Sequence, residues 1–265
     1  MKIGVCAKDL HGDYPSQLRW LAEHGFDGFQ TWKRDMDNSK VTAKDVLAMA
    51  DDLGLEVSAV GGGPNLVNPE KTSQTIDLYR TFLDLSVELG PCLVTGEDKG
   101  KPRALCDDDA WSSCVQTVAT ICQHAETVGA VLAIECAGGC LINDHHAWVR
   151  LADRVGSPAL KVNYDPANIV WAGSDVIEGV NLVGEHIVHT HAKDIRRVPS
   201  EDEQVQEHAI DVPVGQGLVG FDAYLGALRQ VGFNGYLTIE MHAGKHDRAA
   251  EMLESATYLR NWLAA

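Results

Sequence analysis

The chain has 265 residues, of which 45% are hydrophobic and 23% charged, and its formal net charge is −16. This length suits one large α/β domain of roughly 250 residues. The excess of negative charge would repel phosphate backbones and anionic lipids, so we expect neither nucleic acid nor a membrane as a partner. No apolar run approaches the ~20 residues that cross a bilayer. A small-molecule partner fits this composition better.

Two features bear on the cellular compartment. The polar pair Lys8-Asp9 follows the first apolar run at once, which leaves no room for a signal-peptide core and cleavage site. The seven cysteines are odd in number and contain no Cys-x-x-Cys pair, so we expect free thiols rather than disulfides or a zinc knuckle. The sequence therefore predicts a cytoplasmic protein.

Short apolar runs alternate with helix-length segments along the whole chain. This repetition is typical of βα units, and eight of them predict a single (β/α)8 TIM barrel over residues 1–265. The predicted strands are residues 2–6, 25–30, 56–60, 92–95, 131–135, 160–165, 186–191 and 236–240. Predicted helices include residues 42–53, 72–89, 108–128, 144–155 and 221–231. Glycines that tolerate a left-handed C-cap follow these helices directly or nearly so.

Residues 196–216 form the main polar interruption, and several acidic residues lie within them. We predict an extended loop here, after the seventh strand. Such a loop would lie at the rim of the barrel, where it either acts as a lid or extends into solvent as an acidic excursion.

Four potential metal ligands each lie at the C-terminal end of a predicted strand: Glu135, Asp165, His191 and Glu240. In a parallel barrel these strand ends meet at one rim, so the four groups are expected to converge. Three carboxylates would repel one another unless a divalent cation lay between them. The oxygen-rich set favours Mn²⁺, Mg²⁺ or Co²⁺, and ligand type alone leaves Zn²⁺ possible. A single Glu at a strand end more often meets solvent, and Asp165 is also a candidate helix N-cap.

Four protein ligands leave room on an octahedral ion for a substrate carbonyl and an adjacent hydroxyl. The neighbouring C–H bond would become acidic, and Glu135 and Glu240 are the candidate acid and base. This predicts a metal-dependent isomerase or epimerase that acts on a small sugar, keto-sugar or cyclitol through an enediolate. A dehydratase or lyase is the alternative, because the same intermediate can expel a β-hydroxyl or glycosyl group. A non-catalytic sugar-binding protein is a further alternative.

Several motifs together resemble the xylose isomerase-like TIM-barrel superfamily of sugar isomerases and epimerases. They are Ala133-Ile-Glu135, Asn163-Tyr-Asp-Pro-Ala-Asn168, His189-Thr-His-Ala-Lys-Asp194 and Gly235-Tyr-Leu-Thr-Ile-Glu240. The resemblance implies one divalent ion on Glu135, Asp165, His191 and Glu240, with the two glutamates as the acid/base pair. It also implies that Arg197 contacts substrate and that the protein is a possible homo-oligomer. DNA-repair endonucleases of this superfamily need a basic groove, which the net charge argues against.

Two positions depart from the epimerases of that superfamily. Asn168 stands where they carry a histidine, and an amide binds a hydroxyl but exchanges no proton. The second strand ends in Gln30-Thr-Trp-Lys33, where many relatives carry a Glu. Trp32 either stacks on a sugar or aromatic aglycone or is a plain loop residue. Lys193 either contacts substrate oxygens or forms a salt bridge at the rim.

Overall fold

Eight parallel strands form a closed barrel in the computed structural model, which describes residues 1–199, 207–242 and 248–265. The strands of the barrel are β1 Lys2–Cys6, β2 Gly28–Trp32, β3 Glu56–Gly61, β4 Leu93–Gly96, β5 Val131–Glu135, β6 Leu160–Tyr164, β7 Ile187–Ala192 and β10 Tyr236–Ile239. Their hydrogen-bonded order is β1-β10-β7-β6-β5-β4-β3-β2, with β1 and β2 paired to complete the circle. The predicted (β/α)8 barrel is confirmed.

The helices of the described residues surround this barrel. They are α1 Tyr14–Glu23, α2 Lys33–Ser39, α3 Ala43–Leu53, α4 Thr72–Leu89, α5 Asp107–Val128, α6 His145–Val155, α7 Pro166–Trp171, α8 Val176–Val183, α9 Phe221–Gln230 and α10 Ala249–Ala264. Helices α3, α4, α5 and α6 each end at a glycine in the left-handed conformation, as the sequence predicts. Among the described residues, no helix has the length and apolar character needed to span a bilayer.

The second strand is displaced from its predicted position. Residues 25–30 were expected to be extended, but Gly25 has φ +70 and turns the chain directly after α1. Phe26 then packs in the core, and the strand runs instead from Gly28 to Trp32. This shift brings Gln30 into the buried interior of the barrel and places Trp32 at the rim.

The segment after β7 is more ordered than the predicted loop at 196–216. Strand β8 (Asp194–Pro199) pairs with strand β9 (Glu207–Val212) in antiparallel register, so a two-stranded sheet forms part of the segment that was predicted as an extended loop. The pairing satisfies backbone groups that the barrel does not reach. The Asp194 carboxylate anchors the returning chain by accepting the backbone N–H groups of Gly215, Gly217 and Val219. Residues 200–206 lie outside the described residues, and a lid function stays a prediction.

Buried polar side chains fill the barrel beneath its C-terminal rim. His189 contacts Asn163 Oδ1 through Nδ1 and Thr238 Oγ1 through Nε2, each at 2.9 Å. Both ring nitrogens thus have partners within the protein, and His189 belongs to a buried layer inside the barrel. The seven cysteines are free, as predicted.

Candidate metal centre and active site

The four predicted ligands converge at the C-terminal rim of the barrel. Glu135 ends β5, Asp165 follows β6, His191 lies in β7 and Glu240 follows β10. One ligand atom from each side chain lies within 4.8 Å of the others. His191 Nδ1 lies 3.4 Å from Glu135 Oε2 and 3.5 Å from Glu240 Oε2. Convergence follows from the barrel, because parallel strands direct their last side chains to one rim.

The His191 ring is oriented from below by polar side chains of the barrel interior. Its Nε2 lies 2.9 Å from Gln30 Oε1, and Gln30 Nε2 donates to Thr95 Oγ1 at 2.8 Å. Because the Gln30 oxygen can only accept, Nε2 carries a proton, and Nδ1 faces the carboxylates of Glu135 and Glu240. A supporting hydrogen bond of this kind is typical of a metal-binding histidine.

The two oxygens of Asp165 have different surroundings. Oδ1 caps α7 by accepting the backbone N–H groups of Ala167 at 2.8 Å and Asn168 at 3.2 Å. Oδ2 is buried and has no hydrogen-bond partner among the described residues, and Lys193 Nζ lies 3.9 Å away. Burial raises the pKa of Asp165 to about 7; Glu135 adds to this shift, whereas Lys193 opposes it. A buried, unpartnered carboxylate oxygen that faces two further ligands fits a cation site.

Two lysines lie beside Glu240. Lys8 Nζ is 2.9 Å from Glu240 Oε1 and from Asp9 Oδ1, and Lys193 Nζ is 3.2 Å from Glu240 Oε2. Burial opposes the ionisation of Glu240, but Lys193, His191 and Lys8 hold its pKa well below the usual range. The sequence led us to expect that a cation alone would balance the charge of the predicted carboxylates, but the two lysines balance part of it. A metal-bound His191 would be neutral, and the carboxylates of Asp9, Glu135, Asp165 and Glu240 with the ammonium groups of Lys8 and Lys193 would then carry a formal charge of −2, which suits one divalent ion.

Glu135 accepts hydrogen bonds from two neutral amides and also lies beside His191. Asn168 Nδ2 donates to its Oε1 at 2.8 Å, and Asn163 Nδ2 donates to its Oε2 at 3.2 Å. Burial disfavours the charged form of His191, yet Glu240 and Glu135 raise its pKa well above the ordinary value. The two glutamates therefore differ, since Glu240 has ammonium donors and Glu135 has amide donors.

A cavity of about 310 Å³ opens above these groups. Of the predicted substrate-binding residues, Trp32, Asn168 and Lys193 line it. Arg197 is not among the lining residues within the described chain; its guanidinium lies 4.9 Å from the ring centre of Trp171, which does line the cavity. The cavity size lies at the lower end of the range for small-molecule sites.

Sequence reasoning missed several residues of this site. They are Lys8, Thr95, Lys99, Trp171 and His242, together with Gln30 as a partner of His191. The rule that identified the four ligands also applies to the residues after β1, β2 and β4. Lys8 follows β1 closely, so the same rule would have found it.

The model of one protein family, described as xylose isomerase-like TIM barrel, matches residues 18–262. The chain belongs to this family. It is 23% identical over 268 residues to 3-dehydroshikimate dehydratase from Pseudomonas putida. The aligned region covers 98% of this chain and 42% of that protein. It is 21% identical over 174 residues to inosose isomerase from Bacillus velezensis, which covers 63% of this chain and 60% of that protein. The chain thus spans about two fifths of the length of the dehydratase.

Solved structures show the same fold. The 3-keto-D-glucoside 4-epimerase from E. coli is 18% identical with a TM-score of 0.81, over 98% of this chain and 99% of that chain. D-Psicose 3-epimerase from Clostridium cellulolyticum H10 is 19% identical with a TM-score of 0.80, over 99% of each chain. At these identities the likeness concerns the barrel and leaves the reaction to the site itself.

Proposed function

We propose that this protein is a divalent-metal-dependent enzyme that removes a proton from the carbon next to a carbonyl group and completes a β-elimination. Its proposed substrate is a small polyhydroxylated ketone: a keto-sugar, a keto-cyclitol such as inosose, or a keto-glycoside. The observation that carries this proposal is the difference between the partners of Glu135 and those of Glu240. Two lysines hold Glu240 in its ionised form, whereas no lysine contacts Glu135 in the described structure.

Glu135 is the proposed base. Its hydrogen-bond donors are the neutral amides of Asn163 and Asn168, and His191 is its one ion-pair partner among the described residues. Glu240 contacts the ammonium groups of Lys8 and Lys193, so protonating it would leave two buried cations without their shared partner. A single effective base suits elimination, which needs one proton removed from carbon and one supplied to the departing oxygen.

Glu135, Asp165, His191 and Glu240 are the proposed holders of the cation, and the unpartnered Asp165 Oδ2 supports this assignment. When bound, a divalent ion supplies positive charge that stabilises the developing enolate oxygen. The three carboxylates favour Mn²⁺, Mg²⁺ or Co²⁺, while the donor types leave Zn²⁺ possible.

The proposed elimination proceeds through groups of this chain. Glu135 takes the proton as the C–H bond breaks, and the electron pair becomes the new C=C bond as the C–O bond to the leaving hydroxyl or glycosyl oxygen breaks. That oxygen leaves with the proton that Glu135 accepted, so Lys8 and Lys193 keep their ion pairs with Glu240. Trp32 offers an apolar face for the sugar ring or an aromatic aglycone. A contact between Arg197 and substrate stays a prediction.

Isomerisation or epimerisation is the second candidate. Glu135 and Glu240 belong to strands that β6 and β7 separate in the barrel, so their carboxylates approach the cavity from different sides. That arrangement suits proton removal from one face of a carbon and return to the other. Epimerases also occur among the structural relatives. Two-base epimerisation, however, requires Glu240 to carry a proton despite its two lysine partners.

The deciding experiment incubates the Mn²⁺-loaded protein in D₂O with an inosose, a 3-keto-hexose and a keto-glycoside. We expect a product that has lost water or the aglycone. An isomeric product that keeps all of its oxygen atoms and gains one carbon-bound deuterium would support the second candidate instead. Glu135→Gln should lower kcat by about 10³-fold, within the usual contribution of a general base. Glu97→Gln is the matched control, because Glu97 lines the cavity without belonging to the ligand cluster. Equal activity of Glu135→Gln and wild type would refute the base assignment.

A further inference from the structure

A second group of metal-ligating side chains lies outside the barrel, where α6 and α8 begin side by side. His145 and His146 are the first two residues of α6, and Glu178 lies in the first turn of α8. One ligand atom from each of the three lies within 4.8 Å of the others. The group shares no residue with the ligands at the rim of the barrel.

His145 is the unusual member of this group. Its side chain is 1% exposed, and neither ring nitrogen has a hydrogen-bond partner among the described residues. A buried imidazole without partners is costly, because at least one nitrogen is a donor and the other an acceptor. Burial and the nearby His146 lower the pKa of His145, which favours the neutral form that binds metals.

The packing of α8 makes room for this ring. A Cβ atom added at Gly179 would lie 2.6 Å from His145 Nδ1, closer than a real Cβ approaches such an atom. Glycine at this position therefore allows His145 to lie against the helix that carries Glu178. The side chains of His146 and Glu178 are 61% and 58% exposed, so both have space to change rotamer around an ion.

The spacing already suits a small cation. His146 Nε2 lies 3.5 Å from Glu178 Oε1. Two ligands of a tetrahedral ion with bonds of about 2.1 Å are separated by about 3.4 Å. Carboxylates of Asp144 and Asp175, the N-caps of the two helices, add negative charge around His145 and offset the positive ends of the helices.

We propose that His145, His146 and Glu178 form a second metal site, for a borderline divalent ion of the zinc type, that ties α6 to α8. Two imidazoles and one carboxylate are a ligand set that zinc accepts, with water in the fourth position. The segments that follow Glu135 and Asp165 in the chain lead to these two helices, so the ion would brace the supports of the rim. This proposal is independent of the activity proposed above.

The test counts ions and compares affinities by equilibrium dialysis of tag-free, chelator-stripped protein against Zn²⁺. Wild type should bind one more Zn²⁺ ion per chain than His146→Ala or Glu178→Gln. If a variant still binds a second ion, wild type should bind that ion at least about tenfold more tightly than the variant does. His191→Ala should retain the second site. The matched control is His124→Ala, because His124 and Asp84 form a similar surface pair, 2.7 Å apart, without a third ligand.

Both substitutions in the site alter exposed side chains, so the fold is expected to persist and circular dichroism checks this directly. Equal stoichiometry and affinity for wild type, His146→Ala and Glu178→Gln would overturn the proposal. Loss of zinc in His191→Ala alone would likewise overturn it, since all binding would then belong to the barrel site.

Discussion

Replacement of Asp165 by Asn should stabilise the metal-free protein while it removes a metal ligand. Asp165 Oδ1 caps α7, and Asn is as good an N-cap as Asp, so this contact should survive. Oδ2 is buried without a hydrogen-bond partner in the described structure and lies close to Glu135 and Glu240. The substitution thus removes a charge that the metal-free fold accommodates poorly.

The pKa of Asp165 sets the size of this effect. Burial raises it from 3.8 to about 7, so the folded state holds the proton more tightly than the unfolded state. The stabilisation that this proton binding gives the folded state is fully present below the pKa of Asp165 in the unfolded chain. It is lost as the pH rises through about 7. Each pKa unit corresponds to about 1.4 kcal/mol. Between about pH 5 and pH 8, the free energy of unfolding of wild type should therefore fall by about 3 kcal/mol relative to that of Asp165→Asn.

Urea denaturation in the presence of a chelator, followed at both pH values, measures this change. Asp175→Asn is the matched control, because Asp175 also caps a helix, but backbone hydrogen bonds from Glu178 and Ile177 lower its pKa. Asp175 is therefore ionised in both states throughout this range, and its substitution should show no such pH dependence. A stability difference between wild type and Asp165→Asn that does not change with pH would refute the reasoning. Mn²⁺ at 100 times its Kd should stabilise wild type alone, by about 2.7 kcal/mol.

Three further predictions concern the cavity and its ion. Lys193→Met should lower kcat by about 10²-fold, because Glu240 loses one of its two lysine partners. Steady-state kinetics measures this, and an unchanged kcat would contradict the prediction. Gly61→Ala should destabilise the protein by about 1–3 kcal/mol in thermal unfolding, since its Cβ would overlap Trp32, whereas Gly63→Ala meets no atom within 4 Å and should be neutral. Chelation should abolish activity and Mn²⁺ should restore it; activity that persists in chelator would contradict a metal-dependent reaction.

The amino-acid sequence by itself was enough to predict the barrel and the convergence of the four proposed ligands. Apolar runs of strand length and the glycines after α3, α4, α5 and α6 predicted most element boundaries to within one or two residues. Glu135, Asp165, His191 and Glu240 were identifiable because each follows or ends a strand, and strand ends of a parallel barrel share one rim. These inferences depend only on local periodicity and on a rule of topology, which is why they needed no coordinates.

Only the tertiary structure decided how the ligands differ from one another. Lys8, at the start of the chain, reaches Glu240 because β1 pairs with β10, and no local pattern reveals a contact across 232 residues. The amide partners of Glu135 likewise depend on the register of β5 against β6. Burial and the nearest charges set the proton affinity of each carboxylate, and both are properties of the packed barrel rather than of any single segment.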